Sequence, residues 1–214
     1  MAVNNLFAAG GVVMWPLLGF SVLSLALILE RIYFWFRLLT RQDKLVRDVL
    51  AVYRRNPDAA RKQLQENLDL PMSRIFLAAL SLDRPSVDEF RLCLESAAQA
   101  ELPLLRRFNT IFDTTISISP LLGLLGTVLG LIQTFASLRL GDIGGSNTGN
   151  VTAGISEALV STASGLVVAI FTLLFANTFR ALYQRQRALI IEYGGQLELL
   201  YRRQYRGQKD KPIK

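Results

Sequence analysis

Three stretches of this chain carry no ionisable side chain: Met1 to Leu29, Thr114 to Leu138, and Ala158 to Phe179. Each is long enough to cross a hydrocarbon core about 30 Å thick, for which roughly 20 apolar residues suffice. Between and beyond them the charges are dense. A chain with 51% hydrophobic residues is too apolar for an ordinary soluble domain, and 19% charged residues are too many for one lying wholly in a bilayer. This segregation predicts an all-α membrane protein with three transmembrane helices.

The charge distribution also sets an orientation. Residues 37–107 hold 13 Lys/Arg and 10 Asp/Glu, and residues 180–214 hold 9 and 3, whereas 139–150 holds only Arg139 and Asp142. The positive-inside rule puts the first two regions in the cytoplasm, with the N-terminus and the 139–150 loop outside. The net charge of +7 is thus that of a membrane protein and does not call for nucleic acid. Arg202, Arg203, Arg206, Lys209, Lys211 and Lys214 read as lying on anionic headgroups of membrane lipids.

The first apolar run lacks the basic n-region of a cleaved signal peptide, and its positive charges follow it. Trp15 stands near one end, and Tyr33, Phe34, Trp35 and Phe36 near the other, as interfacial aromatic belts do. It reads as a retained span. The chain has no histidine and one cysteine, Cys93. That excludes His-based triads, His metal sites and an intrachain disulfide. No enzyme, metal or cofactor is expected.

The expected layout is as follows. Residues 1–36 form the N-terminal segment and first span, 37–112 a cytoplasmic helical region, and 113–138 the second span. A short outer loop at 139–151 precedes the third span at 152–180, and residues 181–214 form a C-terminal helix and basic tail. Asn56-Pro57 reads as an N-cap with proline at the first helical position, and Pro71 as a second such break. Ser86-Val87-Asp88-Glu89 spells a capping box. The helix it opens is expected to run through Pro103 into span two. The cytoplasmic region is expected to be a helical hairpin and not a separately folded domain. Gly141 to Asn147 reads as a polar, glycine-rich turn, and Gly194-Gly195 as a break in the long C-terminal helix.

The second and third spans place small and polar residues regularly. Pro120, Gly123, Thr127, Gly130 and Thr134 are spaced 3, 4, 3 and 4, which is one face of a helix. Ala158, Thr162, Gly165, Ala169, Thr172 and Ala176 follow the same rhythm, bordered by Glu157, Ser161 and Ser164. One explanation is close helix packing in lipid, to which the Gly126–Gly130 pair and Gly165 are suited. Glu157 resists that explanation, because a carboxylate within the membrane costs roughly 3 kcal/mol on insertion scales. It either faces a cavity or partner, or snorkels to the outer interface. Thr127 is 11 residues from Leu138, and Thr162 is 10 from Thr152. Both therefore lie roughly 15 Å below the outer helix ends. They look like parts of one polar surface. Asp113 either complements the helix dipole at the start of span two or guards a cytoplasmic proton exit.

At these residues a family becomes recognisable. SPLLGLLGTVLGLIQTF followed by AGISEALVSTASGLVVAIFTLLFANTF resembles the ExbB/TolQ/MotA proton-channel family, and GGVVMWPLLGFSVLSLALILERIYFW is similar to its first span. Gly-Thr-Val with Glu-Ala-Leu-x-x-Thr is the specific part, and three spans resemble ExbB/TolQ more than four-span MotA. The resemblance implies a homo-oligomeric ring, commonly a pentamer, around the helices of an ExbD/TolR-like single-span partner. Protons cross through a partner aspartate and drive a TonB- or TolA-type periplasmic protein. Thr127, Thr162 and Glu157 match the family's motif, with Ser161, Pro120 and Gly123 beside them along the proton pathway. Relatives often have proline where Phe171 stands. The other reading is a membrane scaffold whose stripes only pack, with no ion movement.

Overall fold

The computed structural model describes residues 11–139 and 148–209, and among them the secondary structure is entirely helical. Six helices follow in order: α1 Met14–Tyr53, α2 Pro57–Gln65, α3 Pro71–Leu80, α4 Val87–Leu105, α5 Asn109–Arg139 and α6 Thr148–Lys209. Three of them carry segments long and apolar enough to cross a membrane, one in α1, one in α5 and one in α6. The glycine-rich turn expected at 141–147 and the end of the basic tail lie outside the described residues.

Local chemistry explains most of the boundaries. Pro16 is tolerated in α1 because it sits in the first turn, where backbone N–H groups have no partner within the helix. The Asn56 side chain accepts from the Asp58 and Ala59 amides, both at 3.1 Å, and Pro57 opens α2. Pro71 opens α3 after an extended Leu70. At α4 the capping box closes in both directions. The Glu89 amide donates to Ser86 Oγ at 3.2 Å, and the Ser86 amide to Glu89 Oε2 at 2.7 Å.

Two expectations about continuity are overturned. First, α4 does not run into span two. Pro103 has no N–H to extend the ladder, Arg106 and Arg107 fall back on carbonyls three residues earlier, and Phe108 takes φ 70° before α5 begins. Second, Gly194-Gly195 does not break α6. Glycine costs a helix about 1 kcal/mol relative to alanine, but Ile190, Tyr193 and Leu197 are buried on one face around the pair and hold the helix together.

The chain divides into two compact units: Met1–Arg31 with Phe108–Phe179, and Ile32–Arg107 with Arg180–Lys214. The second corrects the expectation of a mere hairpin. Helices as short as α2 and α3 are marginal alone, so they persist by burying one face each. Leu64, Met72, Phe76, Phe90, Leu94 and Leu197 are buried in this unit. Phe90 stacks on Tyr201 with ring centres 4.1 Å apart, and Tyr201 Oη donates to the Pro85 carbonyl at 2.5 Å. Arg74 grips Glu101 with two hydrogen bonds of 2.7 and 2.5 Å, and Asp69 accepts ion pairs from Arg37 and Arg41. Glu101 raises the affinity of Arg74 for its proton through the hydrogen bond, although burial works the other way.

The first unit is built differently. Its large apolar side chains, such as Leu121, Leu124, Leu159 and Val167, point outward, and small residues fill the space between helices. At one end of it the nearly buried Arg31 guanidinium lies 5.3 Å over the Phe108 ring and 3.4 Å from Glu30.

Candidate functional site

The site grows out of the seam between α5 and α6. Along α5 the buried positions include Thr115, Ser119, Gly123, Gly126, Gly130 and Thr134; along α6 they include Ala158, Ser161, Gly165, Ala169 and Thr172. Glycine is required at several of them. A Cβ on Gly123 would lie 2.9 Å from the Thr162 Cα, and one on Gly130 would lie 3.0 Å from the Gly154 carbonyl oxygen. On Gly165 it would run into the Ser119 carbonyl, and on Gly126 into the Ser161 hydroxyl. Backbone therefore meets backbone here, the geometry that small residues permit in membranes.

Close approach lets hydroxyls on α6 reach carbonyls on α5. Thr162 Oγ1 donates to the Gly123 carbonyl at 3.0 Å. Ser161 Oγ donates to the Ala158 carbonyl at 2.9 Å and reaches the Gly123 carbonyl at 3.4 Å. Thr127, one turn beyond Gly123 on α5, donates to the Leu124 carbonyl at 2.6 Å. Thr127, Thr162 and Pro120 are half-buried. Pro120 has no N–H to offer the Ile116 carbonyl, so that oxygen adds to the polarity of the same flank.

The helix α1 covers one side of this seam. Val13 Cβ would contact a Cβ on Gly126 at 3.6 Å, and Leu122 packs on Val13, Met14 and Leu17. Successive helical residues are rotated by about 100°. Thr127 is thereby turned away from the α1 side. The Glu157 carboxylate lies instead against Gly11, whose φ of 67° suits glycine. Five residues separate Glu157 from Thr162, which puts them about 140° apart around α6. The structure thus brings Thr127, Thr162, Pro120 and Gly123 to one flank and sets Glu157 on another.

Two polar residues, Ser24 and Ser119, were not singled out from the sequence. Ser24 of α1 is joined by a 2.7 Å hydrogen bond to Thr172 of the α6 stripe inside the apolar unit. Ser119 Oγ is buried without a hydrogen-bond partner. Both are polar residues within spans, which is a signal, but the sequence does not say which helix each one faces. Asp113 is exposed near the start of α5. α6 continues unbroken through Phe171, whose ring lies 5.0 Å from that of Phe175. Among the described residues no group of His, Cys, Asp and Glu side chains is placed to hold a metal ion.

The model of the MotA/TolQ/ExbB proton channel family matches residues 59–191, more than half of the chain, with all of α5 and the apolar part of α6. The chain belongs to this family. Among its relatives, the ExbB-like 3 biopolymer transport protein of Synechocystis sp. is 63% identical over 195 residues, covering 91% of this chain and 93% of that one. The ExbB-like 1 protein of Synechocystis sp. is 43% identical over 199 residues, covering 92% and 78%. The exbB1 biopolymer transport protein of Vibrio cholerae is 36% identical over 170 residues, covering 75% and 71%. The chain is therefore a multi-pass membrane protein of the ExbB-like kind within a proton channel family.

Proposed function

We propose that this chain is the ring-forming subunit of an inner-membrane proton-driven motor. Five copies would surround the membrane helices of an ExbD/TolR-type partner, and the motion would energise a TonB- or TolA-type periplasmic process. The N-terminus and the 139–150 loop would face the periplasm, and the charged unit the cytoplasm, as the excess of Lys/Arg in 37–107 and 180–214 supports. The observation that carries the reading is the polar flank of the seam. Thr127 and Thr162 are half-buried where only lipid would be expected to touch a lone chain. A ring gives that flank an interior to line, with Pro120 and Gly123 beside the threonines and Ser161 behind them. Gly126, Gly130 and Gly165 hold the two helices at the distance this requires.

The scaffold reading is favoured by one observation: both threonine hydroxyls are already hydrogen-bonded to main-chain carbonyls. The two readings part on the isosteric change of threonine to valine. Losing a buried polar contact costs about 1–3 kcal/mol. That slows a proton-linked step roughly 5- to 150-fold. Proton-driven flux should be measured in liposomes holding the ring and its partner. The motor reading expects Thr127→Val and Thr162→Val each to cut flux while the ring assembles. Intact flux in both variants would make the threonines packing residues.

A further inference from the structure

Where its apolar run ends, α1 passes from exposed aromatic rings directly to an arginine pair. Tyr33 and Phe36 are 68% and 69% exposed, as rings at the level of lipid headgroups are. Arg37 follows at once, and Arg41 stands one turn on, roughly 6 Å along the helix. Tyr33, Arg37 and Arg41 are spaced by four, so they share one flank of α1. Both guanidiniums turn to a single acceptor. Arg37 Nη2 is 2.8 Å and Arg41 Nη1 is 2.9 Å from the same Oδ2 of Asp69, in the segment between α2 and α3. Arg41 also donates to Asn67 Oδ1 at 3.2 Å. We propose that Arg37 and Arg41 form the headgroup site for an anionic phospholipid, in which Asp69 holds the pair in place and yields to the lipid phosphate.

One carboxylate meets two guanidiniums, so the cluster keeps an excess of positive charge. Both arginines are close to half exposed, and their contacts use only part of each N–H fork. Arg41 divides its fork between Asp69 and Asn67, so it does not make the two-pronged pair that suits a guanidinium best. A phosphate offers several oxygens and fits that fork. Exposed ion pairs are weak, which leaves Asp69 exchangeable. A zwitterionic headgroup brings its own cation against the arginines and is disfavoured, whereas an anionic one is drawn to them. A free phosphate has the same oxygens but no acyl chains to lie beside Tyr33 and Phe36, and this flank commits the site to a lipid. The site needs only that the chain spans a membrane, and is independent of proton flux.

The test is native mass spectrometry of the full chain released from nanodiscs of phosphatidylcholine and phosphatidylglycerol in equal parts, reading the ratio of the two lipids retained. Phosphatidylglycerol should be retained in preference. Arg37→Gln and Arg41→Gln should each cut the ratio about fivefold, the worth of one cation at a membrane surface. Arg47→Gln removes the same charge roughly 20 Å along α1 from Tyr33 and should leave the ratio unchanged. Asp69→Asn keeps both arginines, removes their competitor and should raise the ratio. An even ratio in the unaltered chain overturns the site, as does an equal loss in Arg47→Gln, which would show diffuse attraction only. Displacement of the lipid by added inorganic phosphate would make this a soluble-phosphate site and overturn the lipid reading. Should the glutamine variants fail to fold, Asp69→Asn decides: a ratio that stays or falls makes the clasp a structural staple and overturns the proposal.

Discussion

The two units of this chain solve the burial problem in opposite ways. In the charged unit, large side chains go inward, with Phe76, Phe90, Leu64 and Met72 each fully buried. In the apolar unit many side chains of the same kind face out, and glycine, alanine, serine and threonine line the seam between α5 and α6. Water drives large apolar groups together, whereas lipid tails are as apolar as leucine and drive nothing. Helices in lipid are held by close backbone approach and by hydroxyls bridging it. The hydroxyls that line the seam are thus part of the adhesion.

The largest expected effect breaks the charged unit. Phe76→Ala removes a fully buried ring and should destabilise that unit by roughly 3–5 kcal/mol. Leu124→Ala, at a side chain that is 58% exposed on the apolar unit, should stay within about 0.5 kcal/mol. Chemical denaturation of each variant in detergent checks the contrast; equal losses would show that Leu124 is covered by something stronger than lipid.

Gly165→Ala should cost about 1–3 kcal/mol, because its Cβ would meet the Ser119 carbonyl and the Gly123 backbone at 3.2 Å, neither of which can swing aside. Thermal unfolding of the assembled ring is the measurement, and an unchanged midpoint would mean that the seam is looser than described.

A pH titration sharpens the comparison at intermediate scale. Burial pushes the Tyr53 phenol up to about 12, with Tyr201 adding to the rise and Arg61 opposing it. Tyr201 is itself raised, chiefly by burial. An unfolded tyrosine ionises near pH 10, so both groups stabilise the fold fully below that pH. The contribution from Tyr53 is lost as pH climbs from about 10 through 12, to a total of at most about 3 kcal/mol before screening by solvent. Denaturation midpoints measured across that window should fall, and Tyr53→Phe should flatten the fall in part.

The smallest expected effect has the opposite sign. A Cβ on Gly194 or Gly195 would meet nothing within 4 Å. Each change to alanine should therefore stabilise α6 by about 0.5–1 kcal/mol, the helix-propensity gain alone. The same change from glycine to alanine then destabilises one unit and strengthens the helix in the other. Melting curves showing a loss in Gly194→Ala would reveal a neighbour pressed against that face.

Much of this was determined by the sequence alone, because the signals are local or periodic. Absence of charge over a bilayer's thickness marks a span, and Asn56-Pro57 and the Ser86–Glu89 box mark helix starts through bonds between near neighbours. The small-residue rhythm of Gly123, Gly130, Gly165 and Ala169 likewise follows from helical period. Tertiary structure alone decided the rest. Phe108 adopts its left-handed turn, and α6 ignores Gly194-Gly195, because distant packing outweighs a local cost of about a kilocalorie. That Glu157 turns to Gly11 while Thr162 turns to Gly123 depends on which helix stands opposite. A sequence names the hydroxyls that can donate, but only the tertiary structure shows that Thr162 reaches across to Gly123 while Thr127 bonds its own helix.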